Sequence, residues 1–168
     1  MMKTVDVWDY SEKIMKAVKK GVLLTTKADG RVNTMTISWG MLGIEWSRPI
    51  FITVVRESRF TKGFLDSTGV FTVNIPLGET DKDIIAVCGS KSGRDTDKIK
   101  ELGLTLSDGV KIDVPAIKEL PLTLECKVVY KQQQDPSLLY EGGKETFYAD
   151  DDLHTAYYGE IVNAYIAE

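Results

Sequence analysis

"TVVRESRFTKGFL", residues 53–65, changes abruptly from an apolar run to a cluster of cations and hydroxyls. The run ending at Val55 predicts a buried strand, and the residues that follow predict a short helix over Arg59–Asp66. Ser58 is a natural N-cap for that helix. Thr61, however, stands where a reciprocal capping box has Glu or Gln. We therefore expect the backbone N–H groups of the first helical turn to face something outside the helix.

The same stretch concentrates groups that bind anions. The positive end of a helix dipole would be joined there by two guanidinium groups and two hydroxyls, which together favour a terminal phosphate. The side chains concerned are Arg56, Ser58, Arg59 and Thr61. Composition alone also allows the alternative that both arginines pair with Glu57 and Asp66 on a solvated helix start.

Bulk composition limits the class of protein. The chain of 168 residues is expected to form one domain, residues 1–168, long enough to bury roughly 70% of its unfolded surface. A formal charge of −4 gives no field suited to a nucleic-acid backbone. No window approaches the ~20 apolar residues of a membrane span, so neither nucleic acid nor membrane is an expected partner.

The few cysteines and the single histidine limit the chemistry further. Cys88 and Cys126, in a chain without an apolar leader, predict reduced thiols in a cytoplasmic protein. Both are interpreted as inert. With His154 as the single histidine, no metal site is expected.

The pattern of elements predicts a mainly β protein. An N-terminal helix from Asp9 or Ser11 to Lys20 is followed by a hairpin around Asp29-Gly30. Further strands are predicted at "PIFITVV", "GVFTVNIP", "LTLECKVVYKQ", "TFYAD" and "HTAYYGEIVNAYIA", with helices over Thr80–Val87 and Thr96–Leu102. Strands without regular βαβ alternation favour an antiparallel barrel with short peripheral helices.

A second polar stretch, "CGSKSGRDTDKI" at residues 88–99, follows the first of these two helices. Two glycines permit unusual backbone angles there, and the loop could close over the same phosphate. It lacks the glycine spacing of a P-loop. The alternative is an ordinary inter-helix loop in which Asp95 caps the next helix.

Two further features remain open on sequence grounds. In "NTMTISWGM", residues 33–41, alternation places Thr34, Thr36 and Ser38 on one face, toward either solvent or the heteroatom edge of a planar ring near Trp39. His154 begins an apolar strand, where either a surface role or a functional one fits. The acidic run at 150–152 is interpreted as a solvated turn.

Together these stretches resemble the flavin reductase-like family of FMN-binding split barrels, in particular its flavoredoxin-like branch. The resemblance rests on "NTMTISWG", "RPIFITVVRESRFT", "GVFTVNIP", "CGSKSGRDTDKI" and "HTAYYGEIV", which occur in the family's order. It implies a homodimer of six-stranded antiparallel split β-barrels with noncovalently bound FMN. By the family's pattern, Arg56, Ser58, Arg59 and Thr61 hold the phosphate, with Ser92, Arg94 and Lys98 as further candidates.

For the ring end, the resemblance implies that Thr36, Ser38 and Trp39 line the isoalloxazine and that His154 lies beside the nicotinamide or the exposed flavin face. The implied function is hydride transfer from NAD(P)H to flavin and onward to a small-molecule or protein acceptor. The alternatives are an electron carrier reduced by a partner protein, a pyridoxamine-phosphate-oxidase-like enzyme, and a barrel without ligand that serves as an interaction module. The sequence ends at Glu168, where relatives commonly continue, so a more open pocket or a dispensable tail is expected.

Overall fold

An antiparallel sheet dominates the computed structural model, which describes residues 2–79 and 82–167. Its eight strands are β1 (Met2–Thr4), β2 (Val22–Ala28), β3 (Arg31–Ile37), β4 (Gly40–Glu45), β5 (Arg48–Arg56), β6 (Val70–Ile75), β9 (Leu122–Gln133) and β10 (His154–Ala167). The order is β3-β2-β6-β9-β10-β5-β4, and β1 pairs with β10. A separate small ribbon joins β7 (Leu106–Ser107) to β8 (Ala116–Ile117). The prediction of a mainly β, antiparallel fold is confirmed.

Six of the predicted strands occupy consecutive positions in this sheet, from β3 to β5. The two additional strands are β4, which the sequence interpretation had merged into the preceding strand, and β1. The segment "TFYAD" was wrongly predicted as a strand: it holds the end of a short helix and a turn. Gly142, with a φ of 80°, starts that helix, and the ring of Tyr148 is buried against His154 instead of joining a sheet.

Short helices lie around the sheet: α1 (Ser11–Lys20), α2 (Phe60–Thr68), α3 (Lys82–Ser90), α4 (Lys98–Glu101) and α5 (Gly143–Phe147). The helix predicted from Thr80 corresponds to α3, and Thr80 itself is outside the described residues. Asp97, not Asp95, caps α4 by accepting a hydrogen bond from the Lys100 N–H at 3.1 Å. Neither predicted cap starts α1, because Tyr10 occupies its N-cap after a 3-10 turn.

Two tight hairpins set the register of the sheet. The predicted turn has Asp29 and Gly30 at φ of 50° and 73°, and β4 is joined to β5 by Trp46 and Ser47 at 51° and 57°. Two successive residues with positive φ match the right-handed twist of the flanking strands. The second hairpin was harder to predict, since neither of its central residues is glycine or asparagine.

The inner face of the sheet encloses the largest of three apolar clusters among the described residues. Side chains from β2, β5, β6, β9 and β10 meet there, and α1 adds Ile14 and Val18. Gly159 is required at this point, because a Cβ would lie 2.5 Å from the Phe71 ring. A register shift between Tyr158 and Gly159 relative to β9 bends the strand at the same place.

The hydroxyls of Thr34 and Thr36 on β3 are hydrogen-bonded within the protein, whereas Ser38, just beyond the strand, is exposed. Thr34 is fully buried: its hydroxyl donates to the Leu24 carbonyl and accepts from the Thr25 hydroxyl. Thr36 donates to the Ile85 carbonyl at 2.6 Å and so ties β3 to α3. In the described part of the chain, no helix combines the length and apolarity needed to traverse a bilayer.

Candidate functional site

The end of β5 and the start of α2 form the centre of the candidate site. Arg59 is the N-cap residue of α2, with an extended backbone at φ −72° and ψ 133°. Ser58, the predicted cap, instead donates its backbone N–H and its hydroxyl to the two carboxylate oxygens of Asp152, at 3.0 and 2.6 Å. An acidic side chain 94 residues away thus occupies two donors that the sequence assigned to a phosphate.

Burial alone would raise the pKa of Asp152, but the hydrogen bonds from Ser58 and the nearby charges of Arg56 and Arg59 lower it overall. Asp152 is therefore ionised at neutral pH. The interpretation of the acidic run as a merely solvated turn is wrong for this residue, because its carboxylate is tied to the end of β5.

Within residues 2–79 and 82–167, the Arg59 guanidinium and the first backbone N–H groups of α2 are free. No hydrogen bond or ion pair of the Arg59 guanidinium, and no acceptor for the N–H of Phe60 or Thr61, occurs among the described residues. The Thr61 hydroxyl is buried and accepts a hydrogen bond from the Asn33 amide at 2.8 Å. A helix N-terminus with an unpaired arginine is a suitable place for an anion.

Arg56 has a structural role that sequence reasoning missed. Its guanidinium donates to the carbonyls of Asp152 and Phe147 at 2.7 and 3.0 Å, and it covers the Tyr148 ring. The alternative pairing with Glu57 and Asp66 is wrong, because lysines take those carboxylates: Lys62 bonds both, at 3.2 and 2.7 Å.

The loop between α3 and α4 approaches α2 through Arg94 and Gly93. The Arg94 guanidinium donates to the Ser58 carbonyl at 3.0 Å and stacks over the Phe60 ring. Gly93 packs so closely that a Cβ would lie 2.1 Å from the Asn33 amide oxygen. The loop is thus both an inter-helix connection and one wall of the site.

Lys98 is almost completely buried behind this loop. Its ammonium donates to the carbonyls of Lys91 and Cys88, at 3.1 and 3.4 Å. Burial, with the nearby Arg59 charge, lowers the pKa of Lys98. Cys88 is buried beside it, and burial raises the pKa of its thiol, in agreement with an inert role.

Two adjoining cavities collect all the predicted site residues. The strand-side cavity, about 230 Å³, is lined by Met35, Thr36, Ile37, Ser38, Trp39, Val54, Arg56, Arg59 and His154. The loop-side cavity, about 100 Å³, is lined by Asn33, Met35, Thr36, Ser58, Arg59, Phe60, Thr61, Cys88, Gly89, Lys91, Ser92, Gly93, Arg94 and Lys98. Three residues, Met35, Thr36 and Arg59, line both.

Size alone would select other cavities. One of about 810 Å³ lies beside Gly21 and Ile85, one of about 560 Å³ lies along α2 and is lined in part by Arg59, and one of about 410 Å³ is lined in part by Asn33 and Lys98. Each cavity of the pair is smaller than the ~300 Å³ usual for a small-molecule site. The pair therefore suits a ligand that spans both, with its anionic end near Arg59.

His154 provides the most perturbed group of the strand-side cavity. Its side chain is buried, and its ring lies 5.1 Å from that of Trp39 between centroids. Burial lowers the pKa of His154 to about 4, and the positive charges of Arg56 and Arg59 contribute while Asp152 opposes them. The imidazole is therefore neutral at pH 7.

Trp39 forms the outer wall. It lies between β3 and β4, remains 45% exposed, and meets the Phe147 ring edge-on at 5.6 Å. A half-exposed indole beside a buried imidazole leaves an aromatic surface against which a planar ligand can pack.

Sequence reasoning missed four contributors to the site: Asn33, Phe147, Tyr148 and Asp152. Asn33 lay inside a quoted motif and its amide could have been counted as a donor. The other three lie in the segment before β10, whose aromatic and acidic residues resemble those of an ordinary strand and turn.

Comparisons with known proteins agree on this architecture. The family described as "Flavin reductase like domain" matches residues 15–168. An uncharacterized protein of Archaeoglobus fulgidus is 33% identical over 110 residues, which cover 66% of this chain and 61% of that protein. The matched segments span about half to three fifths of the length of the curated relatives.

Among solved structures, flavoredoxin from Methanosarcina acetivorans has a TM-score of 0.67 and 26% identity, over 88% of this chain and 68% of that one. A Shewanella frigidimarina protein with a split barrel domain has a TM-score of 0.69 over 98% of this chain and 76% of its own, at 17% identity. This second likeness shows the fold alone: the chain is a split barrel, as expected.

Proposed function

Since the chain belongs to the flavin reductase-like family, we propose that it binds FMN noncovalently across the two cavities and transfers hydride from NAD(P)H to an acceptor. The observation that carries the proposal is the Arg59 guanidinium, which lines both cavities and has no partner in the described part of the chain. On one side it adjoins the free N–H groups of α2, and on the other a neutral His154 and an exposed indole.

The phosphate would be held at the start of α2. Arg59 supplies a charge-assisted donor, and the N–H groups of Phe60 and Thr61 add the positive end of the helix dipole. Ser92 lines the same cavity, and its hydroxyl, which accepts from the Arg94 N–H at 3.2 Å, keeps its own proton to donate. Lys98 lines the same cavity and adds positive charge there, because its two hydrogen bonds go to uncharged carbonyls and not to a carboxylate.

The ring would lie in the strand-side cavity. Thr36, Ser38 and Trp39 border it on one side, and Arg56 provides a cation that stabilises developing negative charge. When bound, the flavin supplies the hydride-transfer chemistry. No residue need act as a general base, and Trp39, in edge-on contact with Phe147, borders the outer side of the cavity.

A second copy of the chain is the proposed partner. A row of apolar side chains crosses four neighbouring strands in register: Met41 of β4, Ile52 of β5, Tyr158 of β10 and Tyr130 of β9. Trp46 extends it, 53% exposed and 6.0 Å from the Tyr130 ring. Because Val54, two residues beyond Ile52, lines the strand-side cavity, a second copy on this surface would border the flavin. Light scattering of a Trp46→Lys variant tests it: a dimer that persists would contradict the assignment.

The main alternative is an electron carrier without a nicotinamide substrate, which the 26% identity to a flavoredoxin favours. Anaerobic mixing of the FMN-loaded protein with NADH or NADPH separates the two. Rapid bleaching of the flavin band is expected for the reductase, and no response to either nucleotide would support the carrier. Oxidation of pyridoxamine phosphate would instead favour the oxidase-like alternative. An absence of FMN binding would leave only an interaction module.

A further inference from the structure

The histidine of the strand-side cavity is held from behind by two residues outside the cavity lining. Its Nδ1 lies 2.8 Å from the Tyr148 hydroxyl, and that hydroxyl donates to the Gln134 side-chain oxygen at 2.9 Å. Gln134 is itself fixed opposite the histidine, since its backbone N–H donates to the His154 carbonyl at 2.9 Å. Three residues therefore form a linear chain of hydrogen bonds: Gln134, Tyr148 and His154.

The direction of this chain follows from counting protons. A tyrosine hydroxyl has one proton, and here it is donated to Gln134. The tyrosine oxygen must then accept from His154, so the imidazole proton is on Nδ1 and Nε2 keeps its lone pair. Burial raises the pKa of Tyr148, which keeps the hydroxyl protonated at neutral pH.

We propose that Tyr148 and Gln134 are positioning residues that hold His154 as the Nδ1–H tautomer, so that Nε2 accepts a hydrogen bond from an N–H donor in the strand-side cavity. The identity of this donor rests on the proposed function: in a reductase that uses NAD(P)H, the donor is the carboxamide NH₂ of the nicotinamide.

The charges around the imidazole support an acceptor role. Arg56 of β5 and Arg59 at the start of α2 both disfavour a second proton on the ring, and Asp152 offsets them only in part. A neutral imidazole in the other tautomer would present N–H instead and would meet the carboxamide NH₂ donor to donor. This chain of hydrogen bonds thus determines which chemical group of the co-substrate His154 recognises.

The tautomer can be measured directly, because the chain contains one histidine. Two-dimensional proton–nitrogen NMR of the ¹⁵N-labelled protein at pH 7 should show a protonated Nδ1 and an unprotonated, pyridine-like Nε2, both with and without FMN. The reverse assignment would mean that Gln134 presents its NH₂ to Tyr148 and would overturn the proposal. This readout needs no catalytic activity.

Steady-state kinetics with two nucleotides test the recognition step. We expect Tyr148→Phe to raise KM for the nicotinamide nucleotide roughly 3- to 10-fold with little change in kcat, as for loss of one hydrogen bond. The analogue whose carboxamide is replaced by acetyl, which has no N–H, should bind wild type and variant equally weakly. An equal rise in KM for both nucleotides would contradict recognition of the carboxamide.

Two variants separate positioning from general structural damage. Gln134→Glu retains an acceptor for the tyrosine proton, so it should preserve the Nδ1–H tautomer and the discrimination between the nucleotides. Tyr157→Phe removes the same kind of bond, a tyrosine hydroxyl donating to the Asp66 carboxylate at 2.9 Å, at residues that line neither cavity of the site, and should change neither. If neither nucleotide reduces the flavin, the reductase function and the carboxamide assignment both fall, while the NMR result decides the tautomer independently.

Discussion

The strand-side and loop-side cavities share Arg59 but use their polar groups in opposite ways. In the strand-side cavity, His154 of β10 retains an available imidazole nitrogen, and Arg59 at the start of α2 has a guanidinium without a partner among the described residues. In the loop-side cavity most polar side chains are already bonded within the protein. Ser58 donates to Asp152, Lys98 to two carbonyls and Arg94 to the Ser58 carbonyl.

This difference separates groups that bind from groups that shape the site. A donor already bonded in the folded chain gains little from a ligand, because one hydrogen bond must be exchanged for another. The abundance of cations and hydroxyls in the loop-side cavity therefore overstates its binding energy. We expect anion affinity to depend mainly on Arg59 and the first turn of α2.

The largest effect is predicted for Arg59→Ala, which should weaken FMN binding by about 2–4 kcal/mol through loss of a charge-assisted contact. Calorimetric titration measures it. Arg48→Ala is a matched control, since Arg48 pairs with Glu160 at the opposite end of β5. Riboflavin, which lacks the phosphate, should bind the Arg59 variant almost as well as wild type. A similar loss for riboflavin would place Arg59 at the ring.

The second prediction concerns acid stability and tests the strand-side cavity. The pKa of His154 falls from 6.5 to about 4 on folding, so the unfolded chain binds its proton at a higher pH than the folded one. The contribution of His154 to the free energy of unfolding is fully present above pH 6.5. It is lost progressively as the pH falls toward 4, by about 3 kcal/mol in total. Urea unfolding between pH 7 and 4.5 measures the slope.

His154→Gln is the control for this slope, because the variant has no imidazole to titrate. Asp152, whose pKa is also lowered, loses its contribution at lower pH, as a carboxyl normally titrates near 4. Equal slopes for wild type and variant would mean that the imidazole is more solvated than its burial indicates.

The third prediction tests how tightly the loop-side cavity is packed. Gly93→Ala would place a methyl group 2.1 Å from the Asn33 oxygen and 2.8 Å from the Phe60 ring, and should cost about 1–3 kcal/mol of stability. Gly63→Ala, inside α2 with open space around it, should stabilise by about 0.5–1 kcal/mol. Thermal unfolding compares them. A neutral Gly93→Ala would indicate a loop loose enough to rearrange.

The parts of this molecule that sequence could predict are those that local chemistry determines. Asp29-Gly30 identified a hairpin because few residue pairs adopt two positive φ angles, and "RESRFT" identified a helix start by its dense donors. The turn at Trp46-Ser47 was missed because its unusual backbone is accompanied by contacts with residues distant in the chain. The Trp46 ring contacts those of Tyr130 and Tyr158, and local sequence does not indicate either contact.

The parts that could not be predicted depend on partners distant in the chain. Nothing local to Ser58 indicates that Asp152 will bind it, and nothing local to "TFYAD" indicates that Tyr148 will support His154. In both cases the pairing of β10 with β5, which places His154 opposite Arg56, brings the segment before β10 to the site. Side-chain chemistry thus predicted residues that line the two cavities, whereas the assignment of partners required the fold.

The smallest effect is predicted for Asp152→Asn, and it tests the comparison of the two cavities most directly. The amide oxygen can still accept from the Ser58 N–H, so the loss of stability should be only about 0.5–1 kcal/mol. Removing the carboxylate charge should also strengthen FMN binding several-fold at low salt, and less at high salt. Asp151→Asn, which removes a neighbouring charge paired with Lys144, is the matched control and should have little effect. Weaker FMN binding by Asp152→Asn would instead mean that Asp152 orients Ser58 toward the ligand. The loop-side cavity would then bind FMN through groups such as the Ser58 hydroxyl, which are hydrogen-bonded within the protein in this structure.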